Sequence, residues 1–352
     1  MKIPKKINIF RRFFMKKFTK NIGKTNYNKR IEHTSEIVTI LISRPNQRLG
    51  NLLLITPLVQ EITATFPNCK IDLFVKGNQA ESIFRNYENI NHIIQLPIKP
   101  FSNIMKYVYV WLTLKSKKYD LVINASENSS SGKLSTFFSN AKYKFYGEFN
   151  DQNNIKYSDY IHSAKFPVYN LRSYLNKVER NEKPNVVPFL DLKLNSFEME
   201  RGKKSLNQIT HNDNKTICLF TNATGEKCYS EEWWNTLYEK LKNEFSNYNI
   251  IEILPVENTS KLGFKIPTFY STDIREIGSL IANADLFIGA DSGLMHLSSA
   301  VGTPTIGLFS VTDEKVYKPY NKKGLAINTN NVKNIEMLDL INIYLNNPFA
   351  KA

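Results

Sequence analysis

The chain has 352 residues, 42% hydrophobic and 22% charged, a globular balance with length enough for two domains. No run approaches the roughly 20 apolar residues of a membrane-spanning helix; the longest, Ile104 to Leu114, is short and carries Lys106. Of the net charge of +15, eleven cations from Lys2 to Arg30 precede the first acid, Glu32, leaving +4 for the rest.

Within residues 1–35, Ile7, Phe10, Phe14 and Phe18 recur at steps of three and four, with Phe13 alongside, so a helix gathers them on one face. The other face is then lysine and arginine. Such a basic amphipathic leader suits the anionic inner face of the cytoplasmic membrane through residues 1–30, each nearby cation contributing about 1 kcal/mol. A solvated basic tail without a partner is the alternative. Charges interrupt every apolar run and no small-residue cleavage site follows, which argues against a signal peptide. No helix-turn-helix, zinc-finger or aromatic RNA-binding pattern accompanies the charge, so nucleic acid is not expected as a partner.

From Glu36 short β-branched runs alternate with helical ones. The expected strands of a first unit, 36–188, are Ile37 to Ile42, Ile71 to Val75, His92 to Leu96, Leu121 to Asn124 and Tyr143 to Tyr146. Helices are expected from Leu52 to Phe66, Ile104 to Lys117 and Lys133 to Phe138. A polar segment, Asn181 to Leu194 with Pro184 and Pro188, reads as a linker.

The second unit, 189–352, repeats the alternation. Its expected strands are Thr216 to Phe220, Ile250 to Leu254, Asp285 to Ile288 and Thr305 to Leu308. Its expected helices are Glu231 to Phe245, Ile274 to Ala282, Leu294 to Val301 and Ile335 to Leu345. The pattern predicts an α/β chain of two doubly wound, Rossmann-like domains facing a central cleft. Cys69, Cys218 and Cys228 have neither metal-site nor disulfide spacing and fit reduced thiols in the cytoplasm, with Cys218 in the core.

The most specific segment runs from Ala284 to Phe309 as strand, tight turn, helix, turn and strand. Asp291-Ser292-Gly293 ends a buried strand and opens a helix, so the amides of Ser292, Gly293 and Leu294 can point at an anion, and Gly293 lets a phosphate approach the backbone. Asp291 or Ser292 acting simply as a helix cap is the competing reading.

This segment, with Gly302-Thr303-Pro304 and Thr312-Asp313 after it, resembles the Asp-Thr/Ser-Gly-x-x-His pattern of the bacterial heptosyltransferases, glycosyltransferase family nine. Arg48-Leu-Gly-Asn51 with Thr56-Pro57 is similar to that family's Arg-x-Gly-Asp motif. Asn222-Ala-Thr-Gly-Glu-Lys227 resembles its strand-end loop. The resemblance implies a GT-B fold and transfer of a heptose or related sugar from a nucleotide-diphosphate donor to an anionic glycolipid or other surface glycan, with inversion. By the same carry-over Thr224 and Lys227 hold donor phosphate. No Asp-x-Asp motif is present, and transfer without metal or cofactor is expected.

One position departs from the pattern. The family's Asp is regarded as the base that deprotonates the acceptor hydroxyl, whereas Asn51 cannot take a proton near neutral pH. Glu127, just after the strand ending at Asn124, is the carboxylate that topology carries to the cleft, unless it is a solvated loop acid. His296 is expected to orient phosphate or Asp291 rather than act as base. Asn51 is left to hydrogen-bond an acceptor hydroxyl or to cap the helix beginning at Leu52, Arg48 to favour an acceptor with carboxylate or phosphate, and Asp291 to hold sugar or ribose hydroxyls. Trp233 and Trp234 read as helix packing. A nucleotide-sugar epimerase and a catalytically degenerate sugar-nucleotide binder share this architecture and remain alternatives. A nicotinamide dehydrogenase is disfavoured because no Gly-x-Gly-x-x-Gly follows the first strand.

Overall fold

The computed structural model describes Lys17, Thr19 and residues 22–29, 31–99, 103–175, 186–332 and 334–346. The apolar face expected of the leader (Ile7, Phe10, Phe13, Phe14 and Phe18) and the linker residues Asn181 to Pro184 lie outside the described residues.

The first unit runs β1 (Thr39–Arg44), α1 (Leu49–Leu53), α2 (Thr56–Thr65), β2 (Lys70–Lys76), α3 (Gln79–Phe84), β3 (Ile90–Leu96), α4 (Ile104–Ser116), β4 (Lys118–Asn124), α5 (Ser130–Phe138) and β5 (Asn140–Phe145). All its strands are parallel, in the order β3-β2-β1-β4-β5. Central Ile40, Leu41 and Ile42 are fully buried, as expected where helices cover both faces of a parallel sheet. The single helix expected from Leu52 to Phe66 is two, because Pro57 has no N–H to continue the ladder. The hydroxyl of Thr56 instead donates to Leu53 O at 2.8 Å and starts a new helix.

After α6 (Asp151–Lys156) and α7 (Phe166–Tyr174) come α8 (Ser196–Thr210), β6 (Thr216–Phe220), α9 (Glu231–Glu244), β7 (Asn249–Ile253), β8 (Thr268–Phe269), α10 (Ile274–Ala282), β9 (Leu286–Ala290), α11 (Gly293–Ala300), β10 (Thr305–Phe309), α12 (Glu314–Tyr317), β11 (Gly324–Asn328) and α13 (Asn334–Asn346). The second sheet is also parallel, ordered β11-β10-β9-β6-β7-β8. The two doubly wound sheets expected from the sequence are therefore present. Strand order reverses between β1 and β4 and between β9 and β6, and such switch points open a crevice beyond the carboxyl ends of the strands.

Both units share one core, in which Leu52 and Leu53 of α1 belong to the same apolar cluster as Met295 and Leu297 of α11. The described part of the linker is packed rather than loose: Val187, Leu190 and Leu192 are buried, and Leu192 N donates to Ala300 O at 2.8 Å. Arg275 of α10 binds the units together. Its guanidinium donates to Ser82 O (2.8 Å), Leu192 O (3.1 Å) and Lys193 O (3.0 Å) and forms a two-point pair with Glu198. With that network satisfied, a cation only 2% exposed is tolerated.

Residues 22–29 and 31–36 also rest on the first sheet. Thr25 donates from N and Oγ1 to Glu148, Ile31 is buried, and Lys142 donates to Glu36 at 2.7 Å. All three cysteines are free, and Cys69 and Cys218 are buried.

Candidate active site

At the carboxyl end of β9 the chain turns through Asp291 and Ser292 into α11. Ser292 is the N-cap, its hydroxyl accepting from Met295 N at 3.3 Å. The amides of Gly293 and Leu294 stand at the positive end of the helix, where phosphate is favoured. Asp291, 5% exposed, is fixed through its own amide to Leu308 O at 3.0 Å. Its Oδ2 accepts from Lys227 Nζ at 3.0 Å and Thr312 Oγ1 at 2.7 Å. Lys227 comes from the turn Gly225–Lys227 after β6, entered through Gly225 at φ 69°. That left-handed conformation suits glycine. Thr224, just before the turn, is exposed.

His296 lies one turn into α11, buried, with Nε2 3.9 Å from Asp291 Oδ1 and Nδ1 enclosed without a partner. Burial pushes its pKa down to about 4 against the opposing pull of Asp291, so the ring is neutral at pH 7. Its opposite wall is Gly50 of α1: a Cβ there would lie 2.6 Å from His296 Cδ2. Gly293 meets Leu49 in the same way, with a Cβ placed 3.0 Å from the Leu49 Cβ. The Arg48-to-Asn51 motif and the Asp291-to-His296 motif thus meet face to face across the cleft.

β1 delivers Arg44 to this meeting point. Its Nη2 donates to Asn51 Oδ1 at 3.1 Å while its Nε is enclosed without a partner. Burial lowers the guanidinium to about 10, opposed by Tyr317 of α12, and the group remains a cation. A carboxylate at position 51 would have neutralised it. Asn51 does not.

A strap between α6 and α7 then crosses to the second unit. Ser163 N donates to Val316 O at 3.0 Å. His162 Nδ1 accepts from Ala164 N at 3.2 Å, so Nε2 carries the proton donated to Lys318 O at 3.0 Å. Lys165 pairs with Asp159 and sits 4.6 Å above the Tyr320 ring.

Residues 108–342 match the family model of glycosyltransferase family 9 (heptosyltransferase). The chain belongs to this family. Among its relatives, lipopolysaccharide heptosyltransferase 3 of Escherichia coli is 22% identical over 288 residues, covering 77% of this chain and 84% of the relative. Among solved structures, the family 9 glycosyl transferase of Veillonella parvula superimposes with a TM-score of 0.66 at 14% identity, covering 88% of this chain and 97% of that one. Escherichia coli heptosyltransferase WaaC with ADP gives 0.65 at 16% identity, over 87% and 100%. The protein is a glycosyltransferase with the GT-B architecture.

In this family 9 enzyme the expected site residues fall into two groups. Asn51, Lys227, Asp291, Ser292, Gly293, Leu294 and His296 converge at the cleft, with Lys227 and Asp291 paired to each other. Arg48 is exposed and starts α1, its amide donating to Asn46 Oδ1 at 2.9 Å. Glu127 lies in the β4–α5 loop, near enough to Tyr160 to add a little to the rise that burial causes in the phenol's pKa. Among the described residues it has no hydrogen bond or ion pair. Trp234 is fully buried and Trp233 stacks on Tyr229 at 4.1 Å, both as helix packing. Sequence reasoning missed Arg44, whose one signal was a cation ending an otherwise apolar parallel strand. It also missed His162, which only tertiary contacts bring to the interface.

Proposed function

We propose that this enzyme transfers a heptose or related sugar from a nucleotide-diphosphate donor, ADP-heptose being the first candidate, to a hydroxyl of a lipopolysaccharide-type acceptor. The names of its relatives, a lipopolysaccharide heptosyltransferase and a heptosyltransferase with ADP, support that choice of substrates. The observation that carries the reading is the Lys227–Asp291 pair, 3.0 Å apart, beside the amino end of α11. An ammonium and free helix amides are arranged where a departing diphosphate gains negative charge.

In the proposed reaction the acceptor oxygen attacks the anomeric carbon from the face opposite the diphosphate, with inversion. The bond from that carbon to the diphosphate oxygen breaks, and its electron pair leaves with the diphosphate beside Lys227, Gly293 and Leu294. Thr224 contributes a further hydroxyl to the phosphates. The acceptor proton goes to Glu127, a carboxylate without a hydrogen bond or ion pair among the described residues, on a loop at the carboxyl edge of the first sheet. Asn51, fixed by Arg44, holds the acceptor hydroxyl, while Arg44 and Arg48 attract an anionic acceptor.

The leader's eleven cations before Glu32 support peripheral attachment to the inner face of the cytoplasmic membrane. No helix among the described residues is long and apolar enough to cross a membrane.

The test is donor binding followed by product analysis. A nucleotide at 100 times its dissociation constant adds about 2.7 kcal/mol of stability, so thermal shift with ADP, UDP and GDP ranks the donors. Mass spectrometry then looks for one sugar added to a delipidated core oligosaccharide. Stabilisation by no nucleotide, or donor consumption without a lengthened acceptor, would overturn the proposal.

A further inference from the structure

Helix α4 is apolar on both of its sides. One side packs inward through Val110 and Leu114, with Trp111 edge-on to Phe74 at 5.4 Å. The other carries Ile104, Met105, Val108, Tyr109 and Leu112, whose spacing of four makes one continuous stripe. That stripe faces solvent: Ile104 is 60% exposed, Met105 85%, Tyr109 69% and Leu112 61%. Neighbouring α5 extends it with Phe137 and Phe138, each about half exposed, and the Phe138 ring contacts Trp111 at 5.9 Å. Soluble proteins seldom leave so contiguous an apolar surface without a partner.

The charge on the chain segments that carry the stripe has one sign. Between Glu88 and Asp120 the sequence has five lysines and no acid, and between Glu127 and Glu148 it has three lysines and no acid. Among the described residues Lys99, Lys106, Lys115, Lys118 and Lys133 form no ion pair. Apolar side chains in a field of unpaired cations match a surface with anionic headgroups above hydrocarbon. The same charge disfavours the other occupants. The leader brings eleven cations and no acid before Glu32, so covering the stripe would set like charges together. A twofold contact with a second copy would oppose each lysine to lysines of the same patch.

We propose that the stripe of α4, with Phe137 and Phe138 of α5, is a membrane-docking face that inserts into the headgroup region of an anionic bilayer. It is separate from any attachment by the leader. Since α4 follows β3 in a parallel β-α-β crossover, its first turns lie at the carboxyl edge of the sheet, the edge that lines the cleft. Ile104, Met105 and Val108 therefore lie toward the end of the first sheet on which the cleft opens. A face docked there would present the cleft to an acceptor whose lipid stays in the membrane. Its usefulness, though not its existence, rests on the glycolipid reading given above.

The test compares the full chain with the full-length double variant Met105→Glu/Tyr109→Glu on vesicles of phosphatidylcholine with and without phosphatidylglycerol. Both positions are exposed, so the variant should keep the parent's melting temperature and its transfer rate on a delipidated acceptor. Its partition onto phosphatidylglycerol vesicles should fall by about tenfold or more, given the transfer energy of two apolar side chains. Equal partition by parent and variant would overturn the proposal, as would indifference of the parent to phosphatidylglycerol. Loss of a parent dimer in the variant with vesicle binding unchanged would also overturn it, in favour of a second copy. Because vesicle binding is read without acceptor, a parent that docks through α4 but transfers no sugar would support the face and refute the function.

Discussion

Gly50 and His296 press against each other across the cleft, the glycine on α1 of the first unit and the imidazole on α11 of the second. With 2.6 Å between an added Cβ and His296 Cδ2, no side chain fits at position 50 unless a buried ring moves. The contact joins the two motifs and sets the position of the ring beside Asp291.

Gly50→Ala should therefore displace His296 and part α1 from α11. Overpacking of this kind costs about 1 to 3 kcal/mol, and the melting temperature should fall accordingly. Turnover should drop along with stability. A variant with parental melting temperature and kcat would show that the ring yields freely.

Lys227→Ala removes the ammonium from the end of α11 and leaves Asp291 with Thr312 as its remaining close partner. If Lys227 stabilises the leaving diphosphate, kcat should fall by the roughly 2 to 4 kcal/mol typical of a preorganised charge donor. Lys227→Arg keeps the charge but not the geometry and should recover only part of the loss. Donor affinity measured separately tells a transition-state effect from lost ground-state binding, and an unchanged kcat in Lys227→Ala removes Lys227 from the reaction.

The two sheets were legible because strands buried on both faces become continuous runs such as Ile40-Leu-Ile42 and Leu286-Phe-Ile288. β8, at two residues, is too short to leave a pattern, and β11 contains Gly324 and Asn328 in place of a β-branched run. Helix α8 buries only Gly202 and Leu206, so its apolar period is faint. Its capping box between Asn195 and Glu198 was the available sign. At the site, strand-end positions pointed to Lys227 and Asp291 separately. Their pairing joins residues 64 positions apart, and local pattern does not encode that. Arg44 lies two residues beyond the strand expected to end at Ile42, directly before Pro45. Its role beside Asn51 depends on how α1 folds back over the strand end.

Acid should destabilise the interface between the units. Burial depresses His162 to about 4 from an ordinary 6.5, so between those values the unfolded chain binds the proton more readily than the folded one. The contribution of neutral His162 is complete above about pH 6.5 and is lost as pH falls through 4, a change on the order of a few kcal/mol. His296, lowered in the same direction, adds to it. His162→Gln keeps a donor for Lys318 O without titrating. Its melting temperature should decline less steeply than the parent's from pH 6.5 to 4, and parallel curves would contradict the assignment.

The proton taken from the acceptor separates two carboxylate placements. Glu127→Gln should lower kcat roughly 100-fold, within the usual range for general-base catalysis, and leave the melting temperature unchanged because Glu127 has no hydrogen bond or ion pair among the described residues. Asn51→Asp places a carboxylate where Arg44 donates at 3.1 Å. The cation keeps that carboxylate ionised, and the acceptor position gains a base. In the Glu127→Gln background, Asn51→Asp should therefore recover much of the lost turnover, at the cost of weaker binding of anionic acceptors because Arg44 is now neutralised. Steady-state kinetics on all four chains, with one donor and one acceptor, reads both effects, kcat for the base and KM for the acceptor. Full activity in Glu127→Gln would exclude Glu127, and an Asn51→Asp effect confined to KM would leave Arg44 and position 51 as an acceptor-binding pair with no part in proton transfer.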